Sequence, residues 1–206
     1  AWEALEDSPS LRTVQAFLEA VPDAKLLAAL HAWRGKGRDD YPVATLWGTL
    51  LLTILLRHPT IEACLGELQR NAALRKLIGI ESEADVPKKW NLSRFLDVLG
   101  QPVHLHWVRE TFNQLIQPLG VVVPDLGRHT AGDASGLSAR GDGHAGGELP
   151  QPSRGHKEYT DEQGRVVRVV EWFGYKLHLL VDVKHEVILA WQITAANVGD
   201  NQVLPQ

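Results

Sequence analysis

The stretch YKLHLLVDVKHEVILAWQIT, residues 175–194, decides the fold. Tyr175, Leu177, Leu179, Val181 and Val183 alternate with Lys176, His178, Leu180 and Asp182. After Lys184-His185 the alternation resumes through Val187, Leu189, Trp191 and Ile193. Successive strand side chains leave opposite faces of a sheet, so this period of two predicts a β-hairpin with one face on a core. TAANVGDNQ (194–202) follows as a turn into a helix, with Asp200 as the candidate N-cap.

Moving outward towards the N-terminus, the β character begins at Arg165, and RHTAGDASGLSAR (128–140) reads as one more strand with a small-residue kink. Between them, residues 141–164 hold six Gly and two Pro, which predicts a long surface loop or insertion. VVVP (121–124) reads as a short β-like run.

Everything before residue 120 has helical periodicity. Leu11, Val14, Phe17 and Leu18 follow a Ser8-Pro9-Ser10 start signal, and Pro22 ends that helix. A second helix runs from Leu26 to Trp33, and residues 34–40 form a loop. The run from Val43 to Leu56 is apolar nearly all round. At about 14 residues it is short of the roughly 20 needed to span a bilayer, so it is expected to be a buried core helix. Thr60 is the expected N-cap for a helix with Ile61, Cys64, Leu65 and Leu68 on one face. Gly79 ends the next helical run. Leu92, Phe95, Leu96 and Leu99 form another stripe ahead of Gly100 in the C′ position, and Leu105, Val108, Phe112 and Leu115 carry the last. The expected class is therefore α+β, with about six helices in residues 1–120 and a sheet domain in 121–206.

The chain has 206 residues, 44% hydrophobic and 22% charged, which places it among ordinary globular proteins. The single cysteine, Cys64, excludes an intramolecular disulfide framework and a multi-cysteine zinc cage. The net charge of −4 argues against a protein held to nucleic acid by bulk positive charge. Neither half has a basic excess: 13 basic and 14 acidic residues lie in 1–120, against 8 and 11 in 121–206. The chain opens AWEALEDSPS and has no Met, so it is expected to be processed or a fragment, and no signal-peptide pattern is visible at that end.

Among residues suited to chemistry, Asp133 sits in AGDASG on a strand, where an aspartate needs a reason. One reason is a carboxylate holding Mg²⁺ or Mn²⁺, which take hard oxygen ligands; the other is an Asx-turn in a Gly-flanked bend. Lys176, His178 and Asp182 share a strand face. His178 and Asp182 are about 13 Å apart along the strand, too far for one ion, so the expectation is a polar face that meets solvent, a helix or a ligand phosphate. His104 and His106, two apart on a helix, point to different sides and make no metal pair. His144 and His156 read as solvent residues of the insertion, and Cys64 as a small buried hydrophobe. KKWNLSR places Lys88, Lys89 and Arg94 around Trp90 ahead of a helix, which is either a phosphate contact or an ordinary basic loop.

Taken in order, these stretches resemble the bacterial insertion-sequence transposases with a DDE catalytic core. AGDASGLSAR is similar to that family's "D-x-T/S" strand, GYKLH to its "G-Y-K-x-H" strand and AANVGD to its "x-A-N-x-x-D" segment. Residues 41–80 and 86–100 are similar to the helical domain that precedes the core. The resemblance implies an RNase H-like domain with a mixed sheet, of which this chain carries the first half, and two divalent ions, Mg²⁺ or Mn²⁺, held by three acids. It places the first acid on Asp133, catalytic and metal-binding, with Ser135 beside it. Lys176 and His178 match the "K-x-H" positions and, with Lys88, Lys89 and Arg94, are candidate nucleic-acid contacts. Asp200 is kept as a helix cap or accessory residue, because the family's second acid lies further on in "D-x-G/A-Y/F" and its glutamate in "Y-x-x-R-x-x-x-E". Neither motif occurs in the 206 residues. The implied partners are transposon-end and target DNA and a second copy in a synaptic dimer, with no membrane, in the bacterial cytoplasm. Cleavage and strand transfer are the implied reactions, and the chain alone is expected to be inactive. The competing expectations are a non-enzymatic helical DNA- or protein-binding module fused to a β domain, and a different RNase H-like nuclease.

Overall fold

A computed structural model describes residues 9–35, 41–139 and 149–203. The chain divides into two compact units, Ala1–Leu115 and Ile116–Gln206.

The first unit contains α1 (Pro9–Ala20), α2 (Ala24–Arg34), α3 (Val43–Leu55), α4 (Ile61–Arg70), α5 (Ala72–Leu77), α6 (Lys89–Leu99) and α7 (Pro102–Ile116), whose last residue crosses into the second unit. α3 lies in the core. Leu46, Leu50 and Leu52 are buried with Leu26 and Leu30 of α2, Leu65 and Leu68 of α4, and Leu92 and Phe95 of α6. Its hydroxyls are absorbed locally: Thr49 Oγ1 donates to Thr45 O at 2.8 Å and Thr45 Oγ1 to Ile78 O at 2.9 Å. Buried hydroxyls are tolerated because each has a carbonyl partner.

Thr60 caps α4 by accepting the Ala63 N–H at 3.1 Å. Cys64 is buried on the apolar stripe, and burial pushes its thiol pKa up. His104 is buried with Nδ1 2.8 Å from Val98 O while His106 is exposed, as expected for positions two apart on a helix. Gly100 differs from its expected role. It ends α6 with φ −72°, in the right-handed region, because α7 starts only two residues later and no left-handed reversal is needed.

The second unit begins with a correction. VVVP is not β-like: α8 (Leu119–Val122) is a single helical turn following Pro118. Four strands follow: β1 (Thr130–Ser138), β2 (Ser153–Thr160), β3 (Val166–Asp182) and β4 (Val187–Ala195). β3 is the axis. Its second half pairs on one side with β1, Asp133 opposite Leu179, and on the other with β4, Leu177 opposite Ile193. Its first half pairs with β2, Tyr159 opposite Arg168. All three pairings are antiparallel, and the parallel pairing of a mixed sheet is not found among the described residues.

The Gly/Pro-rich segment at 141–164 is therefore not simply a loop. Residues 140–148, including His144, lie outside the described residues, but Ser153–Thr160 form β2, because β3 offers a partner ladder that composition does not reveal. Gly174, the first residue of the GYKLH stretch, has φ +152°. A Cβ there would lie 2.1 Å from Leu137 O, so only glycine lets β1 approach β3 at the point where β3 passes from β2 to its other neighbours.

Candidate active site

Of the polar face Lys176, His178 and Asp182, expected to meet solvent, a helix or a ligand phosphate, two members do not meet solvent. His178 is 1% exposed and Asp182 0%. Alternation equates polarity with solvent, but a polar side chain is also stable inside when its hydrogen bonds are satisfied. Asp182 accepts the N–H groups of Gly127 at 2.6 Å, Lys184 at 3.0 Å and His185 at 2.8 Å, and so ties the β3–β4 turn to the segment before β1. Burial raises its pKa, but these N–H groups and the nearby His185 outweigh burial and hold the carboxyl below its ordinary value. Asp125 receives Lys184 Nζ and, at 3.1 Å, His185 Nε2, and chiefly through Lys184 its pKa falls to about 2.

His178 and Lys176 meet Asp200. Lys176 Nζ donates to Asp200 Oδ1 and to Val198 O, each at 3.0 Å. Asp200 is the first residue of a 3₁₀ turn, Asp200–Gln202, whose cap position is Gly199. It is therefore not the cap that the sequence suggested, since its carboxylate is turned to the Lys176 ammonium instead. His178 Nε2 lies 2.8 Å from Thr194 Oγ1, which itself donates to Ala195 O at 3.1 Å. The direction of the His178–Thr194 hydrogen bond follows the tautomer of the ring. Nδ1 is buried without a hydrogen-bond partner, 3.8 Å from Asp200 Oδ1. Burial pushes the His178 pKa below its ordinary value; Asp200 opposes this shift and Lys176 adds to it.

Asp133 occupies the exposed middle of β1. It lies opposite Leu179, so its side chain starts from the face of the sheet that does not carry Lys176 and His178. Its Oδ1 accepts the Ala134 N–H at 2.8 Å, which shows that this N–H is turned away from β3, towards the open edge of β1. The carboxylate thus curls around that edge. On the other face, β1 presents Ala134 and Gly136, and the small side chains leave a groove of about 580 Å³. It is lined by Asp133, Ser135, Gly136, Trp172, Lys176 and Asp200.

Trp172 roofs this groove, with its Nε1 donating to Tyr175 O at 2.9 Å. A Cβ on Gly136 would come within 2.8 Å of the indole, and one on Gly155 within 2.6 Å. Trp172 and Thr194 were missed at the sequence level. The signal for Trp172 was the pair of strand glycines, whose missing side chains mark a close approach that spacing alone does not locate.

The remaining candidates lie in the helical unit. Lys88 is exposed and its N–H is capped by Asn91 Oδ1 at 2.9 Å. Lys89 is paired with Glu62, and Arg94 lies over the Trp90 ring at 5.9 Å. Among the described residues, no group of three or more His, Cys, Asp and Glu side chains is placed to hold a metal ion, and no helix is long and apolar enough to cross a membrane.

Comparison with known families gives two matches in chain order. Residues 2–98 match the family described as Transposase domain (DUF772), and residues 125–206 match Transposase DDE domain. The second match contains Asp133, Lys176, His178 and Asp200, and the first contains Lys88, Lys89 and Arg94. No curated protein and no solved structure matches the chain.

Proposed function

Because the chain belongs to the insertion-sequence DDE transposases, we propose that Asp133 is the first acid of a metal-dependent site for cutting and joining DNA strands. The observation that carries this reading is the placement of Asp133. Its carboxylate lies at the open edge of β1, on the rim of a groove that also holds the Lys176–Asp200 pair.

The family uses divalent metal ions and implies DNA as the partner. The residues fit such an ion in part. Mg²⁺ takes one or two carboxylates together with water and substrate phosphate, and Asp133 keeps one oxygen free after accepting the Ala134 N–H. A bound ion would supply Lewis-acid activation at a phosphodiester. The chain's own residues prepare the surroundings. Asp200 and Val198 O fix the Lys176 ammonium beside the groove, where it offers positive charge to a phosphate. Thr194 fixes the His178 ring, and Gly136 makes room for the Trp172 indole that roofs the groove. In the helical unit, Lys88 and Arg94 are the exposed cations offered to transposon-end DNA, while Lys89 must first leave Glu62.

The motifs that carry the second Asp and the Glu do not occur in these residues, so the 206-residue chain is expected to bind DNA without cutting it. A synaptic homodimer belongs to the same proposal. With Mn²⁺ as a paramagnetic probe, the Ala134 and Ser135 amide signals should broaden, and Asp133→Asn should remove the effect. Equal broadening in the variant would remove Asp133 from the metal site. Incubation with supercoiled plasmid and Mg²⁺ or Mn²⁺ should leave it intact, and nicking abolished by Asp133→Ala would overturn the inactivity.

A further inference from the structure

The β2–β3 ribbon carries a charge pattern that neither the metal site nor the helical cations use. The register sets Lys157 opposite Val170, Tyr159 opposite Arg168 and Gly155 opposite Trp172, so these side chains leave one face. Arg154, His156 and Glu158 leave the other, with Phe173, Glu171 and Val169. Both acids of the β2–β3 paired residues, Glu158 and Glu171, thus start from the second face, and the first face carries Ser153, Lys157, Tyr159, Arg168, Val170 and Trp172 with no acid. On that first face Tyr159 holds two cations, Lys157 Nζ 5.6 Å and Arg168 Cζ 5.8 Å from its ring centroid. An aromatic ring between two cations on neighbouring strands lowers their mutual repulsion and keeps them side by side. Lys157, Tyr159 and Trp172 line the same groove as Asp133, and His156 and Glu171 reach its edge from the second face.

We propose that this face of the ribbon, through Lys157 and Arg168 steadied by Tyr159, grips the phosphate backbone of a DNA duplex that runs into the Asp133 groove. The inference rests on the DNA reading given above and names where the sheet unit holds its substrate. The chain carries a net charge of −4, so attraction for DNA has to come from local segregation of charge, which the two faces of the ribbon provide. Contacts to phosphates position the duplex and carry no sequence preference.

Salt dependence tests it. Each phosphate contact to duplex DNA adds about 0.9 to the slope of log K against log salt, so Lys157→Gln with Arg168→Gln should lower that slope by about 1.8. The measurement uses the full chain and a duplex oligonucleotide of mixed sequence, with thermal melting to verify folding. Arg154→Gln removes the same charge from the opposite face and should change the slope by less than half a contact. Tyr159→Phe should bind as the parent chain does, and Tyr159→Ala should bind about two- to fivefold more weakly.

An unchanged slope in the folded double variant overturns the proposal, as does an equal loss in Arg154→Gln. If DNA binding persists there and disappears with Lys88→Gln and Arg94→Gln, the DNA reading stands and the ribbon has no part in it. A parent chain that binds no DNA overturns both. Equal affinity for polyglutamate, lost in the same variants, overturns the assignment to DNA in favour of an acidic protein surface.

Discussion

The helical unit buries a continuous apolar cluster running from Val14 to Phe95, whereas in the sheet unit Ala196 is the one buried apolar residue among those described. What the sheet unit buries instead is polar: His178, Asp182 and Thr194. Its apolar strand face, Tyr175, Leu177, Leu179 and Val181, is only half-buried. The first unit is held by removal of apolar surface from water, and the second by antiparallel ladders and polar contacts that fix particular segments. Non-directional burial stabilises a unit without fixing any one side chain, while hydrogen bonds fix side chains at defined positions. It is the second unit that carries Asp133 and the Lys176–Asp200 pair.

The contrast can be broken at its strongest point first. Leu92 has no exposure, and Leu92→Ala should destabilise the helical unit by about 2–5 kcal/mol, measured by urea unfolding followed in that unit. A cost under about 1 kcal/mol would mean that the cluster is not what holds it. Gly155→Ala should destabilise the sheet unit by about 1–3 kcal/mol, because the added methyl meets Trp172 and Ala196. Tryptophan fluorescence should report a displaced indole, and an unperturbed spectrum with unchanged stability would remove Trp172 as a fixed roof.

The smallest effect concerns pH. The folded-state pKa of His178 lies below its ordinary value of 6.5, so the unfolded chain takes up the proton first as pH falls. Its contribution to stability is complete above about 6.5 and is lost as pH falls from there towards the folded-state pKa. The melting temperature of the sheet unit should fall across that window, and His178→Gln should flatten this part of the profile. An identical profile in parent and variant would show that His178 is not held neutral.

Most of the architecture was legible because it follows from periodicity. The stripes from Leu11 to Leu18 and from Leu92 to Leu99 and the alternation from Tyr175 to Ile193 each required a particular element, and each formed. Short elements were not. α8, of four residues, is too brief to show a repeat, and β2 has a composition that reads as loop. The candidate site was legible in identity, since Asp133, Lys176, His178 and Asp200 stand out as residue types, but not in arrangement. Lys176 and Asp200 are 24 positions apart, and only the register of β3 with β4, followed by the turn at Gly199, brings them to 3.0 Å.

Local sequence thus determined which segments are helix or strand and which residues could carry chemistry, because hydrophobic spacing and side-chain type act within a few residues of the chain. Tertiary structure alone decided that His178 and Asp182 go inside and that Asp200 pairs with Lys176 instead of capping a helix. It also decided that the 141–164 segment supplies a strand with all its paired-strand acids on one side. Each of these depends on a partner far along the chain: Thr194 for His178, Gly127 for Asp182, β3 for β2. The alternation in residues 175–194 fixed two faces. Which of them is buried was settled by hydrogen-bond partners that alternation does not specify.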